Sequence, residues 1–420
     1  MWIFKAEQLL TENGGHPVII GIPKETCPGE CRVGLVPQNV SALVKKGRSV
    51  MIERGAGLAA GHSDDAYAAA GATLADRSAV FEQADIIVQV QTPGLNLKTG
   101  DSDLAELPSN KILVGMMDPL ANPEFAQTLA AKQVTGVAME LIPRITRAQA
   151  MDVLSSNAMI VGYKAVLIGA SELASMFPMN MTAAGTLNPA RVFIMGVGVA
   201  GLQACATAKR LGAVVEAYDV RPAAREQILS VGAKPVELNI QAEDTESAGG
   251  YAKEQSAEFI KAQQAAMADV LAQQDVVITT AAVPGKKSPI LVTAEMVKSM
   301  KPGAVIIDLA AEKGGNCELT QLGEVVIENG VKIIGPNNLA STVATHASQM
   351  YGKNIENLLN HLITEDGKLN LDFEDEIIRE TVVSINGDVP HPRMRDLLGL
   401  PALPATDSST DSSTDSSTTA

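Results

Sequence analysis

The chain has 420 residues and a formal charge of −15, with 46% hydrophobic, 19% charged and only 3% aromatic residues. That length holds two folded domains, whose cores must be built from Ala, Val, Ile, Leu and Met rather than rings. The acidity excludes nucleic acid and an anionic membrane surface as primary partners, because both would repel the chain. The four cysteines, at 27, 31, 205 and 317, and the five histidines are scattered without metal-ligand spacing. They read as reduced thiols of a cytosolic protein with no metal site. Residues 1–16 are a polar extension with acids and no apolar centre of signal-peptide type. No run of 18 uncharged apolar residues occurs, since residues 159–177 are broken by Lys164 and Glu172. A soluble chain without direct membrane insertion is expected.

In chain order, strand-like apolar runs fall at 18–22, 49–53, 86–91, 112–116 and 136–138. Helix-forming segments at 40–46, 64–70 and 123–131 lie between them. This short-interval alternation predicts a parallel α/β sheet, and this half has no glycine fingerprint. Residues 148–175 read as a long, mostly apolar helix joining the halves. Further strands are predicted at 191–195, 214–218, 236–238, 276–280, 305–309 and 333–336, with a helix at 202–211. The polar stretch 242–264 reads as a surface loop and helix, and 345–362 as a long helix returning the chain to the first half. Residues 407–420 repeat Asp-Ser-Ser-Thr with no apolar residue but the last, and are expected to stay disordered. The predicted fold is α/β: two Rossmann-like domains with parallel sheets, a cleft between them and long linking helices. The predicted domains are 1–143 plus 345–400, then 144–344, with 401–420 as a Ser/Thr/Asp tail.

The chain is organised around residues 191–219, RVFIMGVGVAGLQACATAKRLGAVVEAYD. A short strand leads into Gly196-Val197-Gly198-Val199-Ala200-Gly201, a helix and a second strand follow, and Asp219 stands at its end. Each glycine has a separate task. Gly196 permits the tight turn, Gly198 lets backbone approach a pyrophosphate, and Gly201 lets the helix pack on the strand. The helix N-terminus offers unpaired N–H groups and partial positive charge to phosphates. Asp219 can accept both hydroxyls of an adenosine ribose and would repel a 2′-phosphate. Strand, glycines, helix, strand and acid in register imply a dinucleotide site.

Several segments resemble the NAD(H)-binding domain I of the alpha subunit of proton-translocating NAD(P) transhydrogenase. They are IGIPKE (20–25), AMELIPRITRAQAMDVLSS (138–156), MTAAGTLNPARVFIMGVGVAGLQACATAKRLGA (181–213), DVRPA (219–223), AGGYAKE (248–254), TTAAVPGKKSP (279–289) and IIDLAAEKGGNC (306–317). The similarity spans residues 18–391, nearly all of the predicted folded part. It implies an enzyme that passes hydride between NADH and NADP+ held on a partner subunit, coupled to proton translocation by membrane-spanning subunits. It further implies a homodimer on the cytoplasmic face of the inner membrane, attached through those partners.

By the same resemblance, Arg144, Gln149, Asp152 and Ser155 belong to a loop over the nicotinamide ring, shaped by an Arg144–Asp152 pair. Residues 149, 152 and 155 would share one face if helical. Tyr251 matches the tip of a mobile loop, and Gly250, Gln263 and Ala282 match other NAD contacts. Val197, Val199 and Val220 join the fingerprint in cofactor binding. Arg221 is open to two readings, a 2′-phosphate contact or, beside Asp219, a flank for adenine. Transhydrogenase members with two subunits run on into membrane helices, whereas this chain ends in its Ser/Thr/Asp tail. That fits a separate domain I polypeptide or a shortened chain.

The related alanine dehydrogenases place a Lys and a His where this chain has Gln89, Gln91 and Met116. Neither Gln nor Met is a general base near neutral pH, whereas hydride transfer between nicotinamides requires alignment and no base. Glu312 lies near an acidic position of the dehydrogenases. The alternatives are therefore an alanine dehydrogenase-like enzyme and a non-catalytic NAD-sensing subunit.

Overall fold

A computed structural model describes residues 18–238, 256–283 and 285–403. The first sheet uses β1 (Ile19–Ile22), β2 (Ser49–Glu53), β3 (Thr73–Ala75), β4 (Ile86–Gln91), β5 (Ile112–Met116) and β6 (Thr135–Ala138). A hairpin of β7 (Asn180–Thr182) and β8 (Gly185–Leu187) precedes the second sheet. That sheet uses β9 (Arg191–Met195), β10 (Val214–Tyr218), β11 (Lys234–Pro235), β12 (Val276–Thr279), β13 (Val305–Asp308), β14 (Val325–Glu328) and β15 (Val331–Ile334). Finally β16 (Val382–Ser384) joins the first sheet.

The strand orders are β16-β6-β5-β4-β1-β2-β3 and β11-β10-β9-β12-β13-β15-β14. Each contains the doubly wound order of dinucleotide-binding sheets, three strands to one side of the first and three to the other. The expectation of wholly parallel sheets needs one correction in each. β16 pairs antiparallel with β6, and β14 pairs antiparallel with β15. Central strands such as β12 and β13 are buried along their whole length, as sheets covered on both faces require.

The predicted 148–175 helix begins later, at Val153, and ends at Glu172. Asp152 is its N-cap, accepting the Ser155 N–H, so the chain cannot continue the helix backwards. Thr146–Met151 instead forms a separate 3₁₀ turn. Residues 149, 152 and 155 therefore do not lie on one continuous helix. The helix Val153–Glu172 is the one described helix long and apolar enough to cross a membrane. It packs against the fingerprint helix Val199–Arg210 so closely that a Cβ on Gly162 would sit 2.1 Å from the Ala200 carbonyl oxygen. The helix Ala344–Leu362 packs into the first core, where Tyr351, Ile355, Leu358 and Leu359 meet Ile20, Val88 and Val114. Its Glu356 accepts the buried Asn39 amide at 2.8 Å. The predicted strand at 236–238 forms earlier, at β11. Residues 1–16, Gly250, Tyr251 and residues 407–420 lie outside the described residues.

Candidate functional site

The second sheet reverses its winding between β9 and β12, and loops leaving the carboxyl ends of these strands diverge there. Gly196 follows β9 with φ +93°, and its N–H donates to the Tyr218 carbonyl at 2.9 Å. Its own carbonyl accepts the Thr280 hydroxyl at 2.8 Å, which ties the glycine turn to the loop after β12. A Cβ at Gly201 would stand 2.0 Å from the Gly196 oxygen, whereas one at Gly198 meets nothing within 4 Å. Gly198 is the N-cap of the helix Val199–Arg210 and provides no side-chain cap, so the helix N-terminus stays open. The three glycines thus serve turn, approach and packing separately.

A cavity of about 520 Å³ opens at this point. Its wall includes Gly196 to Ala200 of the fingerprint and Asp219, Val220 and Arg221 after β10. Gln263 enters from the helix Ala257–Leu271, and Ala282 from the loop after β12. Arg144 and Ser155 reach it from the linking region, but Gln149 and Asp152 do not line it. Gln149 is exposed on its 3₁₀ turn. Both Asp152 carboxylate oxygens serve Ser155, one accepting its N–H at 2.9 Å and the other its hydroxyl at 2.6 Å. Asp152 is thus engaged as a cap, where the sequence suggested a partner for Arg144.

Asp219 is held more tightly than its sequence position implies. Its Oδ2 accepts the Val197 N–H at 2.6 Å, and its Oδ1 accepts the Arg221 N–H at 2.9 Å. The Arg221 guanidinium donates to both oxygens, at 2.9 and 3.0 Å, and to the Val197 carbonyl at 3.1 Å. Arg221 is therefore the counter-ion of Asp219 and bridges it to the glycine turn. Burial pushes the neighbouring Tyr218 phenol up to about 12, against a hydrogen bond from Gln263.

Support for the β12 loop comes from residues that sequence reasoning missed. Asp308, wholly buried at the end of β13, accepts the Thr279 hydroxyl at 2.9 Å and the Ala310 N–H at 3.0 Å. Its other oxygen accepts the Asn316 and Cys317 N–H groups at 2.7 and 2.9 Å and the Thr320 hydroxyl at 2.7 Å. Asn316 in turn brackets Ala281, accepting its N–H at 3.0 Å and donating to its carbonyl at 2.9 Å. Lys286 and Lys287, within the segment 279–289, line the cavity as well.

The first sheet has its own reversal, between β1 and β4, and fills it with side chains. Glu25 accepts the Val90 and Gln91 N–H groups at 2.6 and 3.1 Å. Burial, reinforced by the Glu30 charge, pushes Glu25 up to about 8. Burial works on Glu30 in the same direction, but the Arg32 guanidinium overrides it and holds that carboxyl at about 2. Glu30 also accepts from Gln91, Asn338 and Ser341, at 2.7, 3.0 and 2.6 Å. This cluster joins loops of the two sheets, and an Asp118–Lys313 ion pair joins them again. Gln89 donates to Asp103 at 2.7 Å, Met116 is buried, and Glu312 accepts the Asn338 N–H at 2.8 Å.

One closed and one open reversal point, the open one carrying glycine turn, helix N-terminus and acid, define a two-domain dinucleotide-binding protein. Family models agree. The N-terminal domain of alanine dehydrogenase/PNT matches residues 21–161, and its C-terminal domain matches residues 165–392. The chain belongs to the alanine dehydrogenase/PNT family. It is 48% identical over 378 residues to the first of the separate polypeptides that make up the NAD(P) transhydrogenase alpha subunit of Rhodospirillum rubrum, covering 89% of this chain and 98% of that one. The crystal structure of transhydrogenase from Sinorhizobium meliloti matches with a TM-score of 0.78 at 43% identity, over 88% of this chain and 99% of that one. Alanine dehydrogenase of Bacillus subtilis is more distant, 32% identical over 305 residues and 72% of each chain.

Proposed function

We propose that this chain is the NAD(H)-binding component of a proton-translocating transhydrogenase. The observation that carries the reading is the open cavity at the second sheet's reversal, where Gly198 leaves room for a pyrophosphate. NADH bound there supplies the hydride that passes to NADP+ on a partner subunit, and membrane-spanning subunits couple the transfer to proton movement. The chain's own residues bind and orient. The N–H groups at the start of the helix Val199–Arg210 take the phosphates, and Asp219 takes the ribose hydroxyls in competition with Arg221. Val197, Val199, Val220, Gln263 and Ala282 complete the cradle, with Gly250 and Tyr251 added from the 239–255 stretch. Arg144, Gln149, Asp152 and Ser155 shape the nicotinamide side. The domains are 1–143 plus 345–400 and 144–344, with 401–420 a tail. The protein acts at the cytoplasmic face of the inner membrane through its partners. The test mixes the purified protein with the NADP(H)-binding subunit and follows hydride transfer between the nucleotides. Binding of NADH without any transfer would instead favour a non-catalytic NAD-sensing subunit.

NADH should bind at least tenfold more tightly than NADPH, because Asp219 opposes a 2′-phosphate. Asp219→Asn removes that charge and releases Arg221, so the gap should narrow. Titration by nicotinamide fluorescence checks both, and equal affinities in the parent protein would remove Asp219 from the ribose.

Alanine with NAD+ should give no NADH. Gln91 is committed to Glu30, Gln89 to Asp103, and Met116 carries no base. Turnover above about one per second, an ordinary enzymatic rate, would restore the dehydrogenase reading.

The homodimer has a surface to use. Only 33% of the apolar window in the helix Val153–Glu172 is buried, and the β7–β8 hairpin beyond it exposes Met181 and Leu187. Contiguous exposed apolar residues of this kind suit a two-fold contact. Mass measured in solution should be about twice 43.9 kDa, and a monomer at micromolar concentration would count against the dimer.

A further inference from the structure

We propose that Arg147 and Asp375 are positioning residues, whose ion pair fixes the nicotinamide-side segment 144–152 against the chain that returns to the first sheet. The proposal rests on the reading of that segment given above.

The pair has two-point geometry. Arg147 donates through one terminal nitrogen to Asp375 Oδ2 at 2.9 Å and through the other to Oδ1 at 2.7 Å. Asp375 is itself immobilised. It is the N-cap of the helix Glu376–Thr381 and accepts the Ile377 N–H at 2.8 Å. His361, in the last turn of the helix Ala344–Leu362, meets its Oδ2 at 2.9 Å. Hydrogen bonding from Arg147, helped by the Ile377 N–H against partial burial, holds the Asp375 carboxyl at about 2, so the pair stays charged at neutral pH.

A second anchor acts on the backbone. The Ala150 carbonyl accepts the side-chain amides of both Asn354 and Asn357, each at 2.9 Å. These stand three residues apart on the helix Ala344–Leu362, on one face of it. Arg147 and Ala150 flank Gln149 and bind elements beyond residue 353, while Gln149 itself is left exposed. The 3₁₀ turn is thus clamped from the side away from the nucleotide-binding sheet, and Gln149 is what the clamp presents. Arg147 is half exposed, so the pair contributes little to global stability. Its effect falls on geometry, where a displacement near 1 Å is costly to transfer.

The experiment compares Arg147→Ala, Arg147→Lys and Asp375→Asn with Gln149→Asn in the full chain assembled with its partner subunits. Four readouts are taken: transfer at saturating NADH, NADH affinity, melting temperature, and hydrogen exchange of amides 146–152. In Arg147→Ala and Asp375→Asn, transfer should fall at least about fivefold with NADH affinity within about twofold. Amides 146–152 should exchange faster while the melting temperature stays within about 3 °C. Arg147→Lys, which keeps charge but not the two-point fork, should fall between. Unchanged exchange and transfer in both variants, with transfer lowered by Gln149→Asn, would overturn the anchor alone. Losses that track melting temperature would reduce the pair to a structural contact and overturn it too. If Gln149→Asn also transfers normally, the reading of the segment falls and the proposal with it.

Discussion

Gly198→Ala is expected to fold normally and to lose at least thirtyfold in NADH affinity, about 2 kcal/mol of binding free energy. The position has φ −77° and ψ −161°, extended backbone that alanine adopts freely, and a Cβ there meets nothing within 4 Å. The added methyl therefore costs the empty protein little, and its melting temperature should stay within about 4 °C of the parent. The same methyl points into the space that a pyrophosphate needs beside the helix N-terminus. Gly201→Ala should behave in the opposite way. Its Cβ would lie 2.0 Å from the Gly196 oxygen and 3.3 Å from Ile194 Cγ2, an overpacking that costs about 1–3 kcal/mol and several degrees of melting temperature. Calorimetry and fluorescence titration of the two variants separate site from scaffold. A Gly198→Ala protein that binds NADH normally would mean that the cavity holds its ligand elsewhere.

Gln149→Asn is expected to slow hydride transfer with the partner at least tenfold, about 1.4 kcal/mol of barrier, with little change in NADH affinity. The variant keeps the amide and withdraws it by one methylene. Gln149 stands outside the cavity wall and exposed, so ground-state binding should not depend on it. Asp152→Asn gives an informative contrast. Asparagine caps helices as well as aspartate does, so the bond from the Ser155 N–H survives and transfer should fall less than in Gln149→Asn. Asp152→Ala removes the cap and should cost about 0.5–2 kcal/mol of stability. Rates at saturating NADH, set beside melting temperatures, test the pair. Normal transfer by Gln149→Asn would withdraw the segment from the reaction.

How much of this was legible in the sequence follows from the range of the forces involved. β4, β5, β9 and β10 fall where their apolar runs place them, because a strand buried on both faces writes itself as a continuous run. The edge strands do not. β14 is half exposed, and β16 joins β6 from more than 240 positions along the chain, a pairing that no local pattern announces. The glycine turn was legible because a φ of +93° and an approach of 2.0 Å are demands on single residues. The cap at Asp152 was present in the sequence but hidden by the apolar residues that follow it. Asp308 and Asn316 act by bonds to segments eight to 35 positions away, and such bonds have no signature in composition or spacing. The closure of the first sheet's reversal by Glu25 is equally long-range, although the missing glycines foretold that no nucleotide would sit there.

If this chain delivers hydride directly to a nucleotide held by its partner, deuterium at the transferable position of NADH makes the delivery measurable in the mixed, assembled protein. The label should appear in NADPH undiluted by solvent hydrogen, and only when the partner is present. Loss of the label to water, or NADH oxidation that proceeds without the partner, would contradict direct delivery.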